Sequence, residues 1–68
     1  MDFSEQVLQT RCKLNISQKT LAGELGVTNV TISRWENGKS YPTKRQQASF
    51  VLYCKKKKIS FSGGAYDD

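Results

Sequence analysis

At 68 residues the chain suits one small domain, which buries about 60% of the surface of its unfolded chain and leaves little room for an elaborate active site. Hydrophobic residues make up 37% of it and are spread throughout, enough for one core and too many for a disordered polymer. Eleven Lys and Arg against six Asp and Glu give a formal charge of +5, an excess that favours a polyanionic partner such as nucleic acid or an acidic membrane surface.

No apolar run approaches the roughly 18 residues of a membrane span. The start, MDFSEQ, is acidic where a signal peptide is basic, so a cytoplasmic location is expected. Cys12 and Cys54 are too few and too far apart for a metal knuckle, and with no His in the chain the usual zinc finger is excluded. Both are expected as reduced thiols in or near the core. No metal, cofactor or small-molecule ligand is evident.

Asp2 followed three residues later by Glu5 resembles a capping box with Asp as the cap. Phe3, Val7, Leu8 and Leu14 then form an apolar stripe at helical spacing, and Asn15 suits a left-handed helix end. These signals predict a first helix from about Phe3 to Leu14. Ser17 is the next N-cap, with Ile16 placed to staple Leu21. Leu21, Ala22 and Leu25 carry the buried face until Gly26 stops a second helix, about Gln18 to Leu25.

The device repeats with Val27 before the cap Thr28, in register to staple Ile32. Ile32 and Trp35 are the inward residues of a third helix ended by Asn37 and Gly38, and Pro42 keeps the following loop from being helical. The connection between the second and third helices is so short that they must cross sharply. Thr43 with Gln46 forms another capping box and opens a fourth helix, about Lys44 to Lys56. Ala48, Val51 and Leu52 are expected on its inward face, with Cys54 or Lys55 adjoining them. These elements make residues 1–58 the folded domain. Residues 59–68 read as a flexible carboxyl-terminal tail in which Ile59 and Phe61 are candidate dimer contacts.

The outer face of the third helix is unusual. At about 100° per residue, Ile32, Trp35 and Glu36 cluster inward, while Val30, Ser33, Arg34 and Asn37 face out, flanked by Asn29 and Thr31. A solvated face more often carries Glu and Lys pairs four apart. Short polar groups, one small apolar residue and one Arg instead match the major groove of DNA. Arg34 suits guanine, Asn29 suits adenine, and Val30 suits the methyl of thymine. A scattered exposed valine is also common, and taken alone Val30 does not decide between the two readings.

The whole stretch ISQKTLAGELGVTNVTISRWENGKSYP resembles the helix-turn-helix of the phage repressor and Cro family. It has that family's Ser-Gln start, Leu-Ala, turn Gly, Ile and Glu-Asn-Gly end followed by Pro, and the likeness extends over about Val7 to Leu52. It implies an all-α, lambda-repressor-like bundle of four or five helices, with the third in the major groove and the second across the backbone above it. It puts Gln18 where the family's glutamine reaches a phosphate or buttresses the first base contact. Thr28, Asn29, Val30, Thr31 and Arg34 fall at base-reading or groove-lining positions. Ser17, Lys19, Ser33, Asn37, Lys39, Tyr41, Lys44 and Arg45 fall at phosphate-contact positions. Arg11 and Glu36 are paired by the same resemblance as a partly buried structural salt bridge. Trp35 is expected in the core.

The run Lys55 to Lys58 has three readings: a solvated basic helix end, a nonspecific DNA contact, or a lipid patch. The first is preferred. The carboxyl end departs from the family, whose fifth helix commonly supplies the dimer contact. A homodimer on a palindromic operator is nonetheless expected, using Ile59, Phe61 and exposed parts of helix four such as Phe50 or Tyr53. The function implied is a sequence-specific double-stranded DNA-binding transcriptional regulator, most simply a small prokaryotic or phage repressor acting by operator occupancy. A protein-interaction module of the same shape, as in an antirepressor or antitoxin, is the alternative. An enzyme is not expected, for want of His, paired carboxylates or a glycine-rich phosphate loop.

Overall fold

The first residue of each helix follows a side-chain cap, and each helix ends in the same backbone device. In the computed structural model, which describes residues 2–61, four helices account for all regular structure: α1 (Phe3–Leu14), α2 (Gln18–Leu25), α3 (Asn29–Glu36) and α4 (Lys44–Lys56). Asp2, Ser17, Thr28 and Thr43 accept hydrogen bonds from the backbone N–H three residues on, satisfying donors the helix leaves unpaired. At Thr43 the capping box is complete, with the Gln46 side chain accepting from the Thr43 N–H at 2.9 Å.

At the other ends, Asn15, Gly26, Gly38 and Lys58 all have positive φ, between 56° and 74°. The next residue's N–H reaches back to the carbonyl five earlier: Ile16 to Arg11, Val27 to Ala22, Lys39 to Arg34 and Ile59 to Cys54. This is the Schellman ending. Gly26 and Gly38 adopt it without steric penalty. Ile16, Val27 and Ile59 then turn their side chains onto the core, so the residue that closes one helix also anchors the segment after it. Only Asn15–Ser17 and Gly26–Thr28 separate the first three helices.

The core is built from Phe3 and Val7 of α1, Leu21 and Ala22 of α2, Ile32 and Trp35 of α3, and Phe50, Tyr53 and Cys54 of α4. Phe3 is the aromatic hub. Its ring lies 5.3 Å from Trp35 and 5.1 Å from Phe50, both edge-on, and 5.5 Å from Tyr41, distances at which aromatic pairs add to simple burial. Helix α3 packs on α2 and α1, and α4 closes against α2. Among the described residues no buried side-chain nitrogen or oxygen lacks a partner.

The structure corrects several expectations. The inward face of α4 is Phe50, Tyr53 and Cys54, whereas Ala48 and Lys55 are exposed and Val51 and Leu52 are 51% and 66% exposed. Both candidate stripes have helical spacing, and burying two aromatic rings outweighs burying two smaller aliphatic groups. Phe50 and Tyr53 are therefore not free for a dimer. Ile59 and Phe61 also pack on the core, Phe61 stacking on Phe50 at 6.5 Å.

In α1, Leu8 is exposed and Thr10 takes the buried position, because Phe3, Val7, Thr10 and Leu14 form one continuous stripe. The Thr10 hydroxyl donates to the Gln6 carbonyl at 2.8 Å and so enters the core satisfied. Cys54 is buried but Cys12 is exposed. The remainder of the expected tail, residues 62–68, lies outside the described residues.

The register of α4 is directly testable. Phe50→Ala should cost about 3–5 kcal/mol in urea unfolding, while Leu52→Ala should stay within about 0.5 kcal/mol of the parent.

Candidate nucleic-acid interface

Helix α3 is only eight residues long and depends on packing for its stability. Ile32 and Trp35 anchor one side. The opposite side is left to solvent: Asn29, Val30, Arg34 and Asn37 are exposed, and Thr31 and Ser33 are half-buried at its flanks. Val30 is 52% exposed, an apolar group with no place in the core.

Along the chain the other candidate residues fall into two groups on either side of α3. Ser17, Gln18 and Lys19 occupy the start of α2, and Lys39, Tyr41, Lys44 and Arg45 run from the end of α3 through the loop into the first turn of α4. All of these are exposed except Gln18, which is half-buried. Tyr41 is 69% exposed while its ring packs against Phe3. The hydroxyls of Ser17 and Thr28 are engaged as caps. Asn37 Nδ2 donates to the Ser33 carbonyl at 2.9 Å, which ties that amide to its own helix.

Arg11 and Glu36 meet as a bidentate pair. Arg11 Nε donates to Glu36 Oε2 at 2.6 Å and Nη2 donates to Oε1 at 3.1 Å, while Nη1 donates to the carbonyl of Ile16 at 3.2 Å. One guanidinium thus holds the last residue of α3 and the residue that leads into α2. The side chains are 21% and 9% exposed, so the pair is partly screened by the fold. Burial pushes the Glu36 carboxyl up, but the hydrogen bonds from Arg11 and Gln18 and the Arg11 charge outweigh it and hold the group below the usual glutamate range. The Glu36 hydrogen bond raises Arg11.

Gln18 is the residue whose setting sequence reasoning missed. Its Nε2 donates to Glu36 Oε1 at 2.9 Å, a contact across 18 positions that neither residue's helical periodicity announces. The four acids among the described residues are Asp2, Glu5, Glu24 and Glu36; Glu36 ends α3, where Arg11 neutralises it, and Asp2 lies beside Gly38, Ser40 and Tyr41 of the loop that follows. The exposed side chains of α3 and of the segments on either side of it are mainly Lys and Arg, hydroxyl and amide groups, with the one valine, Val30, among them. The described residues hold no cluster of potential metal ligands and no helix long and apolar enough to cross a membrane.

Two short helices packed across a three-residue turn, the second with an open polar face, define a helix-turn-helix, and the chain belongs to that family: its sequence profile matches residues 7–46, as the resemblance to phage repressors and Cro implies. The chain is also 45% identical over 42 residues to the HTH-type transcriptional activator BcrR of Enterococcus faecalis. That alignment covers 62% of this chain and 21% of the relative, so the chain spans about a fifth of that protein's length. No solved structure matches it significantly. Family and relative together support a DNA-binding transcriptional regulator.

The ion pair sets a stability test. Arg11→Ala should cost up to about 3 kcal/mol, the lower end for a buried pair because the guanidinium keeps some solvent contact. A carboxyl whose pKa is lower in the folded than in the unfolded state stabilises above its unfolded value and ceases to do so as pH falls through the folded one. Glu36→Gln should therefore flatten the loss of stability seen when the wild-type protein is acidified through and below the usual glutamate range, as read from urea midpoints across that window.

Proposed function

We propose that the chain reads a specific double-stranded DNA sequence by laying α3 in the major groove, and regulates transcription by occupying that site. The observation that carries this reading is the outer face of α3, where Asn29, Val30 and Arg34 stand exposed, together with the exposed cations Lys19 of α2, Lys39 of the following loop and Lys44 and Arg45 of α4. The groove offers partners for each type: guanine acceptors for Arg34, the adenine donor and acceptor for Asn29, and a thymine methyl for Val30. Thr28, Thr31 and Gln18 line the same contact. Ser17, Lys19, Ser33, Asn37, Lys39, Tyr41, Lys44 and Arg45 supply phosphate contacts that set register. Lys55 to Lys58 follow α4 and take no part in base reading.

The finer proposal is a cytoplasmic repressor of prokaryotic, phage or plasmid type that blocks a promoter by occupancy. Binding alone achieves this, without a chemical step. A relative named as an activator is compatible with the same head, since a site beside a promoter rather than across it changes the sign. The chain acts as a homodimer on a palindromic operator, because one head contacts few base pairs. With Phe50, Tyr53, Ile59 and Phe61 committed to the core, the α4 surface left for a second copy carries Val51 and Leu52.

Selection of bound duplexes from a random pool, with the mass of the complex, tests target and stoichiometry together. On the selected site Arg34→Ala should cost about 1–3 kcal/mol, with a much smaller loss on random DNA; equal losses mean a phosphate contact. Replacing thymine by uracil at successive operator positions should weaken the wild-type protein at one position and leave Val30→Ser indifferent there. Indifference of the wild-type protein at every position removes the methyl contact. A protein that shows no salt-dependent duplex binding is instead a protein-interaction module.

A further inference from the structure

We infer that Glu36 is a positioning residue for Gln18, and that the held Gln18 amide is a specificity determinant of the DNA contact. The inference rests on the reading of α3 proposed above. An ionised carboxylate only accepts hydrogen bonds. With Nε2 donated to Glu36 Oε1 at 2.9 Å, the Gln18 amide cannot invert without placing its own oxygen against that carboxylate.

The carboxylate is itself clamped, since both its oxygens receive hydrogen bonds from Arg11. The same guanidinium holds the Ile16 carbonyl, two residues before Gln18. Backbone and side chain at the start of α2 are thus referred to one rigid pair at the end of α3. A glutamine on a surface helix ordinarily keeps its rotamer freedom until a ligand takes it. Here that freedom is surrendered in the free protein, which is preorganisation.

The arrangement leaves the carbonyl oxygen and the second N–H of Gln18 available. One acceptor beside one donor is the complement of adenine in the major groove, whereas a phosphate requires only donors. The amide's orientation, fixed by Glu36, is what distinguishes the two partners. Glu36 touches no DNA in this scheme and acts through Gln18.

A double-mutant cycle on the selected operator tests the coupling. Gln18→Ala should weaken operator binding about five- to tenfold in the wild-type background. In the background Arg11→Met with Glu36→Leu, which replaces the pair by apolar groups of similar volume, the same change should weaken it by less than about twofold. The salt slope should stay unchanged throughout. Far-UV circular dichroism and melting establish that each variant is folded, and where the apolar pair fails to fold, Glu36→Gln takes its place with the same expectation.

Equal losses in both backgrounds, or no loss in the wild type, overturn the inference and leave the α3 reading intact. A folded wild-type protein with no preference for its selected duplex over random DNA overturns that reading and this inference with it.

Discussion

The bidentate contact between Arg11 and Glu36 is the constraint on which the rest of the structure turns. Apolar burial by Val7, Leu21, Ile32 and Trp35 holds the first three helices together, but hydrophobic attraction has no direction and tolerates small rotations of one helix on another. A planar guanidinium facing a carboxylate does not. By gripping Glu36 with two nitrogens and the Ile16 carbonyl with the third, Arg11 ties the end of α3 to the entry of α2. Two helices of eight residues each, too short to persist alone, thereby acquire a defined mutual orientation.

Helix punctuation completes that orientation. The left-handed residue, the apolar residue and the hydroxyl cap occur in succession as Asn15, Ile16, Ser17 and again as Gly26, Val27, Thr28. In each triplet the first residue ends a helix, the second anchors the turn in the core and the third begins the next helix. No slack remains between α2 and α3. With three residues between them, α3 packs closely on α2, and exposed Lys39 of the α3–α4 loop and Lys44 and Arg45 of the first turn of α4 follow it in the chain. A surface assembled from such short elements takes its geometry from these caps and packing contacts.

Much of this is legible in the sequence because caps and stops are local. The limits of α1, α2 and α4 follow from Asp2, Asn15, Ser17, Gly26 and Thr43, residues whose side chains or backbone freedom act within one turn. The Arg11–Glu36 pair comes from family resemblance, since residues 25 apart share no local signal. The register of α4 is misread from sequence because Ala48, Val51 and Leu52 have the same spacing as Phe50, Tyr53 and Cys54, and periodicity cannot rank two stripes. Tertiary packing decides between them, through the larger aromatic area buried and the Phe3 ring that meets both Trp35 and Phe50. Leu8 and Cys12, both expected inside, are exposed for a related reason: Thr10, its hydroxyl satisfied by its own helix, enters the core at little cost, and a small thiol does not have to. In the candidate site, the exposure of Asn29, Val30 and Arg34 follows from helical geometry, while the hold of Glu36 on Gln18 depends on how two helices cross.

The function of the domain rests on what the outer face of α3 meets. The most direct measurement is a map of backbone amide shifts in the 68-residue chain as a selected duplex is titrated in. Perturbations confined to the start of α2, to Thr28 through Lys39 and to the first turn of α4 are the predicted result. A footprint centred on Lys55 to Lys58, with Asn29, Val30 and Arg34 unmoved, would contradict it.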